Sequence, residues 1–356
     1  MPLCNTVSDL PLEVDSYALE GLARDISTDF TRRTTVIRLQ GGAHEGVGED
    51  VTYDADDQSR LREAGPVQPL AGSWTFASFS KLLGELDLFP EAPGAEVYRN
   101  YRRWAFESAA LDLALRQAGR SLAEVVGREP RPVTFVVSMR LGEPASTLPV
   151  RRWLDLYPAL RFKLDPTSSW GDELIAELAG TGAVDSVDLK GFYKGTPVDQ
   201  HADPALYARV AEGLPDAWIE DPELTEETDR VLEPHRDRFT WDAPIHSPAD
   251  IEALPFPPRT INMKPSRFGP VSTLFETYDF CAERGIALYG GGQFELGPGR
   301  GQLQYLASIF HPDGPNDIAP NGYNNPEPAA GLPASPLEPA GDPIGFRWRD
   351  YSATTR

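Results

Sequence analysis

"AWIEDPEL", residues 217–224, runs from an apolar, β-like stretch into two adjacent carboxylates, Glu220 and Asp221, and is cut off by Pro222. Alone, it reads as a strand entering a solvated acidic turn, because Asp and Glu are mostly surface residues. Its meaning depends on recurrence. From about residue 132 the chain repeats strand, loop and helix. Seven strand runs follow one another: "PVTFVVSMRLG", "LRFKLD", "VDSVDLKG", "AWIEDP", "FTWDAPI", "TINMKPSRFG" and "IALYGGGQF". Helical stretches such as "GDELIAELAGTG", "DPALYARVAEGL" and "VSTLFETYDFCAERG" lie between them. Alternating β and α units imply parallel strands with right-handed crossovers, either a doubly wound sheet or a closed barrel.

The strand runs end on polar residues in a definite order: Arg161 and Lys163, Asp188, Glu220, Asp242, Lys264, and Glu295 just after "GGGQF". In a parallel barrel all these ends open on one face, where barrel enzymes place their chemistry. The gaps of 32 residues from Asp188 to Glu220 and 22 from Glu220 to Asp242 each fit one βα unit. Three carboxylates on neighbouring strands can therefore converge, and a convergent set would repel itself without a cation. Hard oxygen ligands favour Mg²⁺. A lysine beside such a centre has a chemical use, because a general base at neutral pH must be partly unprotonated. A unit charge ~4 Å away at an effective dielectric of ~20 is worth about 4 kcal/mol, so Arg161 and the metal are expected to bring Lys163 near 7. Two-residue spacing on a strand would point Arg161 and Lys163 to the same face.

Before the repeat, "RRTTVIRLQGG" suits a strand and "VGEDVTY" its hairpin partner, while "SFSKLLGELDLF" and "RRWAFESAALDLALRQAGRSLAEVVG" read as helices. The first part of the chain is thus α+β. The segment "LARDISTDFTRR" lies before the first clear strand. After about residue 312 the sequence is rich in Pro, Gly and Asn, with one last short strand expected near Asp317 and then a tail on the surface.

At 356 residues, 40% hydrophobic, the chain is long enough for a barrel with a smaller companion. A net charge of -21 leaves no basic stripe for nucleic acid. No apolar run approaches the ~20 residues of a membrane span, and the start of the chain lacks the features of a signal peptide. Cys4 and Cys281 have neither metal-type nor redox-type spacing, so a cytoplasmic protein is expected. The late "YGGGQFELGPGRG" departs from the dinucleotide fingerprint of a first βα unit.

Taken in order, these pieces resemble the enolase superfamily, and within it the muconate lactonizing enzyme group of the mandelate racemase/muconate lactonizing enzyme family. "RRTTVIRLQGGAHEGVGEDV" looks like the capping-domain strand and its G-x-GE turn. "FESAALDLALRQAGRSLAEVVG" is similar to the E-x-A-x-x-D-L helix. "RFK" stands where the family has K-x-K, "WIEDP" resembles the E-x-P strand, and "INMKPSRFG" resembles the strand carrying the opposing lysine. The resemblance implies an α/β protein: a modified TIM barrel, (β/α)₇β, over about residues 129–325. An N-terminal α+β capping domain would span 1–128, its segment "LARDISTDFTRR" closing over the barrel mouth, and a Pro-rich tail at 326–356 would pack on the surface. It implies Mg²⁺ held by Asp188, Glu220 and Asp242, with Glu220 rather than Asp221 as ligand. Lys163 and Lys264 would be acid/base partners, with Arg161, Lys190 and Glu295 in support. It also implies a lyase or isomerase that abstracts a proton α to a carboxylate through a metal-stabilised enediolate, in dehydration, cycloisomerisation or racemisation. A small carboxylate substrate is the expected partner; assembly into a homo-oligomer is left open. The alternative is a catalytically attenuated protein that binds metal and carboxylate on the same fold.

Three departures stand out. Arg161 replaces the usual first lysine; Lys190 stands where Asn is common and would contact substrate or pair with Asp242; Ala243 follows Asp242 where Glu is usual. The family's dipeptide epimerases carry D-x-D near the last strand, whereas "GPNDIAPNGYN" offers only Asp317, which disfavours a dipeptide substrate.

Overall fold

The helix Tyr98–Gln117 holds the amino-terminal domain together, and every residue from Trp104 to Leu115 is buried. A helix apolar on all sides must have neighbours on all sides. The computed structural model describes residues 1–27, 30–196, 198–325, 327–339 and 344–348. In it, one neighbour of this helix is a small sheet. Strand β1 (Pro11–Val14) pairs with β5 (Gly72–Thr75), while β2 (Ser16–Ser27), β3 (Phe30–Gly41) and β4 (His44–Asp50) form an antiparallel sheet in that order. Strand β4 crosses the helix at two glycines. A Cβ at Gly46 would lie 2.2 Å from the Ala109 carbonyl oxygen, and one at Gly48 would lie 2.0 Å from that of Ala105. The G-x-GE segment is therefore strand rather than turn; the reversal falls at residues 42–43.

"LARDISTDFTRR" is not a segment ahead of the first strand but the end of β2 and the start of β3; its residues 28 and 29 lie outside the described residues. It does meet the barrel rim. Arg24 donates to the Asn321 carbonyl (3.2 Å) and Arg32 to that of Gln293 (2.8 Å).

The other faces of the long helix join the domains. Glu107 accepts the Val271 N–H (2.8 Å) at the start of helix Val271–Arg284. Glu49, on β4, accepts the N–H groups of Leu296 (2.7 Å), Gly297 (3.0 Å) and Gly299 (2.9 Å) at the start of helix Pro298–Phe310. A carboxylate is favourable there because a helix leaves its first N–H groups unpaired and positive.

Seven parallel strands follow: β6 (Val136–Met139), β7 (Arg161–Leu164), β8 (Val184–Asp188), β9 (Trp218–Glu220), β10 (Phe239–Thr240), β11 (Thr260–Met263) and β12 (Ala287–Gly290). β6 to β10 pair in sequence, and β11 pairs with β12. Single backbone bonds close the ring. Asn262 N–H reaches the Trp241 carbonyl (2.9 Å), Asp317 N–H reaches that of Gly290 (2.7 Å), and Val136 N–H reaches that of Asn316 (2.9 Å). Residues 316–317 thus act as the eighth stave, which makes a modified (β/α)₇β barrel under an N-terminal capping domain.

The tail does more than cover the surface. Leu337 exchanges backbone bonds with Val133, and Phe346 and Trp348 are buried. Arg347 donates to Asp112 (2.6 Å) in the long helix. Residues 326, 340–343 and 349–356 of the expected tail lie outside the described residues. Cys4 and Cys281 are free thiols. Among the described residues no helix is long and apolar enough to cross a membrane.

Candidate metal centre and active site

Parallel register sets the acids side by side. Asp188 pairs with Glu220 across β8 and β9, and Glu220 pairs with Thr240, two residues before Asp242. All three carboxylates are fully buried. Each offers an oxygen within 4.8 Å of the others.

Asp221 follows Glu220 in a left-handed conformation (φ 49°) that turns its carboxylate toward the next stave. There it accepts the N–H groups of Asp242 (2.8 Å) and Ala243 (2.9 Å). The second acid of "IEDP" therefore braces the loop that carries Asp242.

Each acid touches at least one cation. Lys163 Nζ, on β7, bonds Glu220 and lies 3.1 Å from Asp188 and 3.6 Å from Asp317. Lys190, also left-handed (φ 56°), grips Asp188 twice: its ammonium pairs with Oδ2 and its N–H donates to Oδ1 (3.1 Å). Lys264 donates to Asp242 Oδ2 (2.7 Å), and Arg267 lies 3.4 Å from the same oxygen. Tyrosines complete the shell: Tyr193 donates to Asp242 (3.1 Å), and Tyr289 bonds Glu220. Lys264 passes over Gly291, where a Cβ would lie 2.7 Å from its Cε.

These neighbours decide protonation. Burial alone would push Asp188 up, but Lys190 and Lys163 outweigh it and hold its carboxyl far below the usual range. Asp242 is likewise held low: burial opposes its charge, and Arg267 and Lys264 prevail. Glu220 goes the other way. Burial raises it well above the usual value, and although Lys163 opposes this, Asp188, Asp242 and Asp221 add to the rise. Burial and then Asp242 and Asp188 push Asp221 up to about 7.

The sequence expectations meet this geometry unevenly. Asp188, Glu220, Asp242, Lys163 and Lys264 come together, but Arg161 does not join them. The β7–β8 ladder slips by one residue, with Phe162 opposite Val184 and Lys163 opposite Ser186. Arg161 binds the skipped Asp185 (2.8 Å) at the far end of the strands, so it cannot tune Lys163. Burial disfavours the charge on Lys163, but Glu220, Asp188 and Asp317 raise its pKa well above the ordinary lysine value.

Lys190 pairs with Asp188 and approaches Asp165 (3.6 Å), not Asp242. Glu295 turns to the Gln293 N–H (2.6 Å) and to Arg300 (3.2 Å), and among the described residues no ion pair links it to the acid cluster. Arg267, Tyr193 and Tyr289 were not foreseen. Arg267 had a readable signal, a second cation three residues after Lys264 in "INMKPSRFG".

The cluster fits a divalent cation on its own chemistry. It is an all-oxygen donor set, Glu220 and Asp221 remain raised despite four nearby cations, and Asp242 Oδ1 is buried without a hydrogen-bond partner.

The fold has close parallels. A dipeptide epimerase from Enterococcus faecalis V583 superposes at a TM-score of 0.67 with 14% identity, over 94% of this chain and 99% of that one. Muconate cycloisomerase from Pseudomonas fluorescens gives 0.62 and 18%, over 86% and 87%. A dipeptide epimerase from Methylococcus capsulatus, complexed with Mg ion, gives 0.60 and 19%, over 79% and 82%. No curated protein matches the chain in sequence. Residues 129–325 match the family described as the domain of unknown function (DUF8230) C-terminal domain, and residues 5–125 match the DUF8230 N-terminal domain. With both halves matched in order, the chain belongs to the DUF8230 family, built on the fold of the enolase superfamily.

Proposed function

We propose that this chain is a Mg²⁺-dependent lyase or isomerase that withdraws a proton α to the carboxylate of a small-molecule substrate. The observation that carries the reading is the triad of buried acids on three adjacent staves, flanked by two lysines across the ring. Counting staves from β6, Lys163 stands on the second and Lys264 at the end of the sixth, on opposite sides of an eight-staved ring.

Asp188, Glu220 and Asp242 would hold the ion. When bound, it would supply positive charge where negative charge develops on the substrate carboxylate. Lys163 and Lys264 would handle protons on opposite faces of the substrate. One amine would take the α-proton and the other return it in a racemisation; in an elimination one of them would serve the leaving group. Lys190 and Arg267 add positive potential that favours an anionic substrate.

Exchange of the α-proton of candidate carboxylic acids in D₂O, followed by NMR with Mg²⁺ present, tests the reading. Magnesium-dependent exchange of at least one acid is expected, lost on Glu220→Gln.

The second reading, an attenuated binder of metal and carboxylate, is favoured by the contact of every acid with a lysine. Carboxylate binding without exchange across a broad panel would select it.

A further inference from the structure

We propose that Lys163, Lys190 and Lys264 are the resident counter-ions of the acid triad, and that a divalent ion loads by exchanging with these ammoniums. Metal uptake and release of lysine into the barrel mouth are then one event. The inference rests on the metal reading above.

Each acid touches an ammonium, and Lys163 reaches two of them, lying 3.1 Å from Asp188 as well. Lys163 holds Glu220, Lys190 holds Asp188, and Lys264 holds Asp242. A carboxylate oxygen that accepts an ammonium at contact distance cannot also bind a divalent ion without bringing like charges together in a buried site, where repulsion is strong. Asp242 Oδ1 is open to an ion, but an ammonium and a divalent ion on one buried carboxylate repel, so loading favours departure of the ammonium.

The lysines can move. Their charge rides on a flexible four-carbon stem. Lys264 has the bare backbone of Gly291 beside its Cε, and Lys190 lies at the edge of the cluster with Asp165 3.6 Å away as an alternative partner. Arg267 cannot follow, because its guanidinium also donates to the Ala243 carbonyl (2.7 Å) and to Tyr193 (2.9 Å). It stays as the fixed cation that keeps Asp242 in place while Lys264 departs.

Before loading, the ammoniums keep three adjacent carboxylates assembled without a metal. After loading, the same amines face the mouth.

The test is calorimetric titration of Mg²⁺ into the full chain, as wild type, Lys163→Met and Lys190→Met. Lys190→Met removes only the edge cation and keeps the test open if Lys163→Met does not fold. Removing a competing ammonium is expected to tighten Mg²⁺ binding by at least about tenfold. Acetylation of individual lysines, read by mass spectrometry, is expected to rise at Lys163, Lys190 and Lys264 when Mg²⁺ is added to the chelated wild type. Wild type that binds Mg²⁺, with variants no tighter and labelling unchanged, overturns the exchange and leaves the metal reading standing. Binding by the variants and not by wild type supports the exchange in its strongest form. No binding by any of the three overturns both.

Discussion

Glu220 and Asp242 end adjacent staves, are equally buried and belong to one cluster, yet their affinities for a proton shift in opposite directions. The difference lies in how cations are shared. Asp242 has Lys264 and Arg267 to itself, with the Tyr193 hydroxyl as a further donor. Glu220 has only Lys163, which it shares with Asp188 and Asp317, and its remaining donors, Tyr289 and Asn262, are neutral. In a buried site the charge on a carboxylate follows its share of the positive groups, more than its type or depth. Glu220 is therefore the acid whose charge most needs the metal.

The largest predicted effect breaks that contrast at its weak side. Glu220→Gln, or a chelator, should reduce Mg²⁺-dependent α-proton exchange to background, measured by NMR in D₂O, whereas Tyr289→Phe should leave exchange detectable. Breaking the strong side comes next. Arg267→Met strips Asp242 of its fixed cation, and losing one partner of a buried pair costs about 3–5 kcal/mol. Urea unfolding of the metal-free protein should show that loss, with Mg²⁺ restoring part of it.

Tyr289→Phe should destabilise by about 1.5–3 kcal/mol in the same assay, the range for a hydrogen bond to a charged group. The smallest effect is a pH slope. Asp221 keeps its proton up to about 7 when folded, whereas an unfolded Asp releases it near 3.9. Lowering the pH from 8 to 6 therefore favours the folded state, by about 1 kcal/mol in metal-free protein. Asp221→Asn should flatten this slope.

Much of the barrel could be read in the chain because four successive staves, β8 to β11, end on or just before a residue with no business in a core. Asp188, Glu220, Asp242 and Lys264 follow apolar runs, and the spacing between them is the length of a βα unit. Arg161 was misread because it begins its strand, two residues short of the end that carries the site, and a one-residue slip in β8 that offers it Asp185 leaves no trace in composition. Tyr289 sits in "IALYGGG" like any core aromatic, and nothing in the sequence tells a ring that packs from a hydroxyl that donates. Asp221 looked like turn chemistry; its partners lie on the next stave. Strand β2 was missed for a different reason. It forms one edge of its sheet, where half its surface stays wet and charged residues interrupt the apolar alternation.

Glu49 limits how the pocket can open. Its carboxylate anchors the backbone just beyond β12, one short loop from the glycine that Lys264 passes over. Parting the two domains like a clam shell would tear three charge-assisted bonds from a helix start at once. The rivet at Glu49 should instead hold that edge of the mouth still while small molecules pass in and out of the barrel.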